Sequence, residues 1–291
     1  MIEEIAPAKV NLYLHVGPLR SDGLHDLASL FVFANDGDVV RVAPSNDLTV
    51  AIEGPFADSL SGEPIETNLV FKAAAALRSE AGLRAGAAIT LDKRLPVAAG
   101  IGGGSADAAA TLRALCRLWG RRPADAELHR LAFELGADVP ACLTRAPLNV
   151  SGAGEILAPG PALPALSMCL VNPGVDMPTG PVFSRFDAAD ITPPPPQLFQ
   201  PAPGAVVDIG ALFSETRNDL ETPAMEIAPL IGDVLRFLSA QQGCLGARMS
   251  GSGATCFALF EAAGDAQDCA RAAQARGWWS LATSIAHREG A

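Results

Sequence analysis

Positive charge is scarce in this chain: lysine and arginine total 21 against 32 acidic residues, for a formal net charge of -11. General nucleic-acid binding and adhesion to an anionic membrane surface both need basic patches. Neither a nucleic acid nor a membrane is therefore expected as a partner. A small anionic ligand is not excluded, because a local cradle of N–H dipoles can overrule the global charge. Lysine is scarcer still, with only Lys9, Lys72 and Lys93 beside eighteen arginines. Where arginine serves as the general surface cation, a retained lysine marks a place that needs a compact, movable ammonium.

Other absences narrow the class. The six cysteines (Cys116, Cys142, Cys169, Cys244, Cys256, Cys269) lie far apart, with no C-x-x-C and no histidine at ligand spacing. They read as buried, reduced thiols. The start, Met1-Ile2-Glu3-Glu4, has neither the basic nor the apolar region of a secretory signal, and no apolar run reaches membrane-spanning length. A soluble, cytoplasmic protein is expected. No internal repeat is visible. At 291 residues and 49% hydrophobic content, the chain is long enough for two domains and can build a core for each.

Glycine, by contrast, is concentrated. Gly100-Ile101-Gly102-Gly103-Gly104 runs into Ser105 and then into an alanine-rich helical stretch ending near Trp119. Such a turn exposes several N–H groups, and the helix it opens adds unpaired donors and partial positive charge, so phosphate is its natural occupant. Walker A is excluded because no Gly-Lys-Ser/Thr follows. The dinucleotide pattern is excluded because Ser105 stands where glycine or alanine is needed. A tight connection alone would need one or two glycines, and each extra one costs about 0.5–1 kcal/mol in chain entropy.

Alternation and periodicity organise the rest. Residues 5–16, 27–34, 39–43 and 87–91 read as strands, with a turn at Asn35-Asp36-Gly37. Residues 68–81 read as a helix capped by Asn68 or Thr67, and 125–135 as a helix closed by Gly136. A break at 136–140 precedes a short helix. A shift to Gly, Pro and Ala at 152–164 places a domain boundary there. The Pro-rich segment 192–204 reads as an extended surface loop and nothing more. Residues 168–172 read as a strand, 231–240 as an amphipathic helix and 254–260 as a buried strand after a second glycine turn, Ser250-Gly251-Ser252-Gly253. Strands and helices mix in both halves, which gives an α+β class.

Phosphoryl transfer needs a phosphate cradle, a cation and a group that orients or deprotonates the acceptor hydroxyl. The loop, Lys9 and Asp138 are candidates for the three. Each also has a plainer reading: Asp138 as the N-cap of a helix starting at Val139-Pro140, Lys9 as a solvated edge-strand charge, Ser252 and Gly253 as a simple turn.

Seven segments carry a family resemblance: A-P-A-K-V-N-L-Y-L-H-V at 6–16, D-G-L-H-D-L at 22–27, L-P-V-A-A-G-I-G-G-G-S-A-D-A-A at 95–109, L-G-A-D-V-P at 135–140, N-P-G-V-D-M-P-T at 172–179, R-N-D-L-E at 217–221 and M-S-G-S-G-A at 249–254. In that order they resemble the 4-diphosphocytidyl-2-C-methyl-D-erythritol kinase family of the GHMP kinase superfamily. The resemblance spans nearly the whole chain. It implies the two-domain GHMP kinase fold, with an N-terminal domain (1–158) like ribosomal protein S5 domain 2 and a ferredoxin-like C-terminal domain (159–291).

It also implies transfer of the γ-phosphoryl of ATP, with Mg²⁺ bridging phosphates, to the 2-hydroxyl of a small cytidine diphosphate sugar-alcohol in the non-mevalonate isoprenoid route. Asp138 would be the general base and Lys9 its electrostatic partner. Pro96, Val97, Ala98, Ala99, Gly100, Ile101, Gly102, Gly103, Gly104, Ser105 and Ala106 would hold ATP. Asn11, Leu24, His25, Thr179 and Phe183 would hold the cytidyl substrate, with His25 on the cytosine edge and Phe183 stacked on the ring.

Two residues depart from the family pattern. Leu24 stands where tyrosine is usual, which lowers stacking by about 0.5–1.5 kcal/mol, and Ala106 replaces a second serine. Asp107, placed in the first turn of the helix, is either a dipole complement or an ion partner. The Mg²⁺ ligands are not assigned. Within the superfamily, a homoserine or mevalonate-type alcohol is the alternative substrate, and the segments at 22–27 and 217–221 argue against it. A non-catalytic nucleotide-binding relative would lack Lys9 or Asp138.

Overall fold

The structure, a computed structural model, describes residues 1–189, 193–202 and 204–286, apart from the side chain of Asp125. The residues fall into two compact units that interleave along the chain. The first comprises Met1–Ala8, Asp36–Val97 and Gly102–Arg145, and the second comprises Lys9–Asn35, Ala98–Ile101 and the chain from Ala146 onward.

Two long strands, β1 (Ile2–Leu19) and β2 (His25–Ser45), pair with each other and supply residues to both units. The turn expected at Asn35-Asp36-Gly37 does not form, and the two short strands expected there are one strand. Gly37 serves close packing instead. A Cβ on it would overlap the carbonyl of Ala6 on β1, so glycine here reflects strand approach and not a reversal.

In the first unit β3 (Leu48–Glu53) runs parallel to β4 (Gly86–Asp92), which pairs antiparallel with Val39–Ser45 of β2. Between β3 and β4 the chain forms α1 (Leu69–Glu80), whose Asn68 cap accepts the N–H of Val70 at 2.8 Å. Three further helices follow: α2 (Gly103–Leu118), α3 (Asp125–Leu135) and α4 (Val139–Thr144). The small residues of α2 (Ala106, Ala108, Ala109, Ala110, Ala114) are buried and let α1 and α4 pack closely against it.

In the second unit the chain from Ala146 onward opens with β5 (Leu148–Gly152), paired with Leu27–Phe31 of β2, and β6 (Ile156–Pro159). Then come β7 (Ser167–Asn172), α5 (Thr179–Asp187), α6 (Ile209–Glu215), α7 (Glu221–Ile227), α8 (Leu230–Ser239), β8 (Cys244–Met249), β9 (Cys256–Phe260), α9 (Ala263–Gln274) and β10 (Trp279–Ser284). The antiparallel order is β10-β7-β9-β8. Cys169, Val171, Ala258 and Phe260 of the sheet share one core with Ile231, Val234 and Leu238 of α8 and Cys269 and Ala273 of α9. All of β7 and β9 is buried on both faces, so their sequences read as apolar runs without alternation.

The Pro-rich segment is not a bare surface loop. In its described part, residues 193–202, the Phe199 N–H donates to the Tyr13 hydroxyl at 3.0 Å and the Gln197 carbonyl meets His15 Nδ1 at 2.8 Å. Thr192 and Pro203 lie outside the described residues. All six cysteines are free thiols, four of them buried and Cys116 and Cys244 half-buried. Among the described residues no helix is long and apolar enough to cross a membrane.

Candidate functional site

The loop from Pro96 to Ala106 owes its shape to backbone conformations that glycine favours. Gly100 and Gly102 have φ of 74° and 62°, and Ala98 adopts 50°. Gly100 is constrained twice over, since a Cβ there would overlap the Ser250 carbonyl oxygen. Three consecutive carbonyls anchor the first half of the loop. Ala99 accepts the Thr255 N–H at 3.1 Å, Gly100 accepts the Ser250 hydroxyl at 2.9 Å and Ile101 accepts the Lys9 N–H at 2.9 Å.

With its carbonyls turned to protein, the loop runs into α2 through Gly102, which serves as N-cap without a side chain. The first intrahelical bond is the Ala106 N–H to the Gly102 carbonyl at 2.9 Å. By helix geometry the N–H groups of Gly103, Gly104 and Ser105 have no carbonyl within the helix, and they carry the positive end of its dipole. Gly104 is exposed and Ser105 half-buried. These N–H groups lie at a helix start open to solvent, the arrangement that suits an anion.

The second glycine turn has a larger role than a simple turn. Ser250 is fully buried, and its hydroxyl donates to Gly100 while accepting the Asn11 N–H at 3.1 Å. Asn218 holds this turn, its Nδ2 donating to the Met249 and Gly251 carbonyls at 2.8 Å each. Asp219 accepts the Val16 N–H at 2.8 Å and Glu221 the Met249 N–H at 2.9 Å. The R-N-D-L-E segment is thus a clamp on the turn and on β1. Sequence reasoning missed this role; the side-chain amide and carboxylates of that segment were its only signal.

Lys9 is not a solvated strand charge. It is 5% exposed, donates to Asn11 Oδ1 at 3.1 Å and lies 4.2 Å from the centroid of the Phe31 ring. The Asn11 amide is fixed in turn, its Nδ2 donating to Ser29 Oγ at 2.9 Å, and Ser29 donating to the Tyr13 carbonyl at 2.5 Å. A buried ammonium held by an oriented acceptor and a ring face is a preorganised positive charge.

Asp138 occupies the N-cap position of α4, with Pro140 in the first turn, yet its side chain caps no N–H of that helix. It is half-buried. The plain capping reading therefore fails at the hydrogen bond that defines it.

His25 and Phe183 come together: their rings are 5.3 Å apart with a 32° tilt. Phe186 meets His25 edge-on at 5.8 Å. His25 Nδ1 lies 2.8 Å from the Gly17 carbonyl, and Nε2 lies 3.2 Å from Asp187 Oδ1. Leu24 is 52% exposed. Thr179, exposed at the start of α5, bonds Ser252 Oγ at 3.0 Å. Phe186 and Asp187 went unnoticed in the sequence because nothing local marks a helix end as facing residue 25.

Asp107 is the fifth residue of α2, so it lies beyond the first turn where it was expected. It is buried and bonded to Lys93 at 2.7 Å, which makes it an ion partner and not a dipole complement.

The family model described as GHMP kinases N terminal domain matches residues 68–145, and that described as GHMP kinases C terminal matches 205–277. A 4-diphosphocytidyl-2-C-methyl-D-erythritol kinase from Parvibaculum lavamentivorans is 46% identical over 280 residues, covering 96% of each chain. A crystal structure of a 4-(cytidine 5'-diphospho)-2C-methyl-D-erythritol kinase is 33% identical with a TM-score of 0.79, covering 99% of this chain and 100% of that one. A homoserine kinase from Cytophaga hutchinsonii has a TM-score of 0.72 at 21% identity, covering 98% of this chain and 94% of that one; this likeness concerns the fold.

Proposed function

Because the chain belongs to the GHMP kinases, which are ATP-using enzymes, we propose that it transfers the γ-phosphoryl of ATP to the 2-hydroxyl of 4-diphosphocytidyl-2-C-methyl-D-erythritol, giving the 2-phosphate and ADP. The observation that carries this reading is full-length identity of 46% to a kinase of that name. The same reading places the reaction in the non-mevalonate route to isoprenoid precursors, in the cytoplasm, with small molecules and no nucleic acid as partners.

The roles follow from the chemistry. The acceptor oxygen attacks the γ-phosphorus, the bond to the β,γ-bridging oxygen breaks, and the hydroxyl proton goes to Asp138 as general base. Lys9 supplies positive charge to the reacting groups, and its orientation by Asn11 supports that role. Residues 96–106 hold the nucleotide phosphates, supported by the anchored carbonyls and free-facing helix start.

Mg²⁺ bound with the nucleotide would neutralise phosphate charge. Among the described residues no group of three His, Cys, Asp or Glu side chains is placed to hold a metal. Asn11, Leu24, His25, Thr179 and Phe183 are assigned to the cytidine end of the substrate, with His25 on the cytosine edge and Phe183 stacked on the ring. The family domains run 1–158 and 159–291 in this reading, each holding one of the two matched segments.

One experiment tests the assignment. The protein is incubated with ATP, Mg²⁺ and either the cytidyl substrate, homoserine or mevalonate, and phosphorus NMR follows the products. A new phosphomonoester signal with the cytidyl substrate alone is expected; turnover of homoserine in its place overturns the specificity.

A further inference from the structure

Three charged side chains lie buried in the first unit with no part in the proposed chemistry. Asp38, Lys93 and Asp107 are 0%, 2% and 3% exposed. Lys93 Nζ donates to Asp38 Oδ2 at 2.5 Å and to Asp107 Oδ2 at 2.7 Å. Asp38 Oδ1 accepts the N–H groups of Arg94 at 2.5 Å and Leu95 at 2.8 Å, so it pins the chain where it enters Pro96. Asp107 is less well served: its Oδ1 is buried without a hydrogen-bond partner. The ammonium also lies against the start of α2, since a Cβ on Gly103 would stand 3.1 Å from Nζ.

Two buried carboxylates and one ammonium carry a net negative charge when all are ionised, an expensive state away from water. Burial raises the Asp107 carboxyl to about 7, against the attraction of Lys93 and with a further push from Asp38. Burial pulls the Lys93 ammonium down, but the two carboxylates outweigh it and hold Lys93 charged. The buried residues of the helices packed on α2 are apolar: Val70, Ala73, Ala74 and Leu77 on α1, Leu131 and Ala132 on α3, Val139, Pro140, Ala141 and Cys142 on α4. Asp138 at the α4 cap and Lys72, Arg78 and Glu80 of α1 lie outside that buried set. Lys93 and Asp38 are therefore the charges that act on Asp107, whose Oδ1 has no hydrogen-bond partner.

We propose that Lys93 is a positioning residue for the nucleotide: clamped by Asp38 and Asp107, it fixes the segment entering the glycine loop and sets a buried positive charge under the first peptide of α2, tuned by whether Asp107 holds a proton. This rests on the reading that the loop binds ATP. Phosphate at the helix start and an ionised Asp107 repel each other, so bound nucleotide favours the protonated acid. The linkage sign follows: nucleotide binding takes up a proton, and affinity falls as pH rises through 7.

The test is the dissociation constant of Mg·ATP, by titration calorimetry from pH 6 to 8, in the wild type and in Asp107→Asn. Asparagine keeps an acceptor for Lys93 and mimics the protonated acid, while the titration of the nucleotide itself is common to both proteins. The wild-type constant is expected to rise several-fold more across this range than that of the variant, with the acceptor alcohol KM moving alike in both. Parallel profiles overturn the proposal. Should the variant not fold, the wild type at pH 7 is titrated in two buffers of different ionisation enthalpy. Uptake of a fraction of a proton per ATP is expected; ATP binding without uptake overturns this inference alone, and no ATP binding overturns the ATP reading with it.

Discussion

The Lys9 ammonium donates to Asn11 Oδ1 at 3.1 Å, from two residues away on the same face of β1. The ammonium, the amide and the Ser29 hydroxyl form one chain of donors and acceptors. Charge-assisted bonds of this kind are worth roughly 1.5–3 kcal/mol. Asn11→Ala is expected to lower kcat by about tenfold or more through a misplaced Lys9. Steady-state kinetics beside a melting curve check this, and a full-rate variant would show that Asn11 does not orient the ammonium.

Asp138 sits at a helix cap without making the capping bond, which separates its two readings. Asp138→Asn should lower kcat by at least about 10²-fold, the lower range for a general base, while the melting temperature holds. Lost stability at an unchanged rate would return the residue to a structural role.

Gly100 combines a left-handed φ of 74° with backbone contact to the second glycine turn. A non-glycine residue in that region costs about 1–2 kcal/mol before any overlap. Gly100→Ala is therefore expected to destabilise the protein by more than about 2 kcal/mol and to raise the ATP KM. Chemical denaturation and ATP kinetics measure both, and wild-type values in both would show that the loop relaxes freely.

Leu24 is half-exposed next to His25 in the chain. An aromatic ring there should recover about 0.5–1.5 kcal/mol of stacking. Leu24→Tyr is expected to lower the KM for the cytidyl substrate severalfold and to leave the ATP KM unmoved. Equal changes in the two constants would remove residue 24 from the base.

His15 ties the Pro-rich segment to the segment preceding Asn218. Its Nδ1 meets the Gln197 carbonyl at 2.8 Å, and its Nε2 accepts the Arg217 N–H at 3.3 Å, which requires a neutral ring with its proton on Nδ1. Burial lowers its pKa, opposed by the Gln197 bond and reinforced by Arg217. The unfolded chain then binds the proton at higher pH than the folded one, so stability is lost as pH falls below about 6.5. Melting temperatures of the wild type are expected to fall more steeply than those of His15→Gln between pH 7 and 5. Superimposable curves would refute the neutral clasp.

Much of this molecule was legible without coordinates, and the reason is locality. The Asn68 cap, the helix over Asp125–Leu135 and the strand Gly86–Asp92 are set by neighbours in the chain, through caps, periodicity and alternation. The glycine loop announced itself because positive φ is a demand on single residues. The seven segments, taken in order, pointed to the family that full-length comparison then established.

Tertiary structure alone decided how those pieces are held. The Ser250 hydroxyl joins residues separated by 239 positions on one side and 150 on the other, and no local pattern encodes such a bridge. Gly37 reads as a turn until the strand it must approach is in place. The scarcity of lysine marked Lys9 and Lys93 in the sequence, but burial against named partners gives them and Asp107 their energies, because desolvation and Coulomb attraction depend on distances that only the folded chain sets.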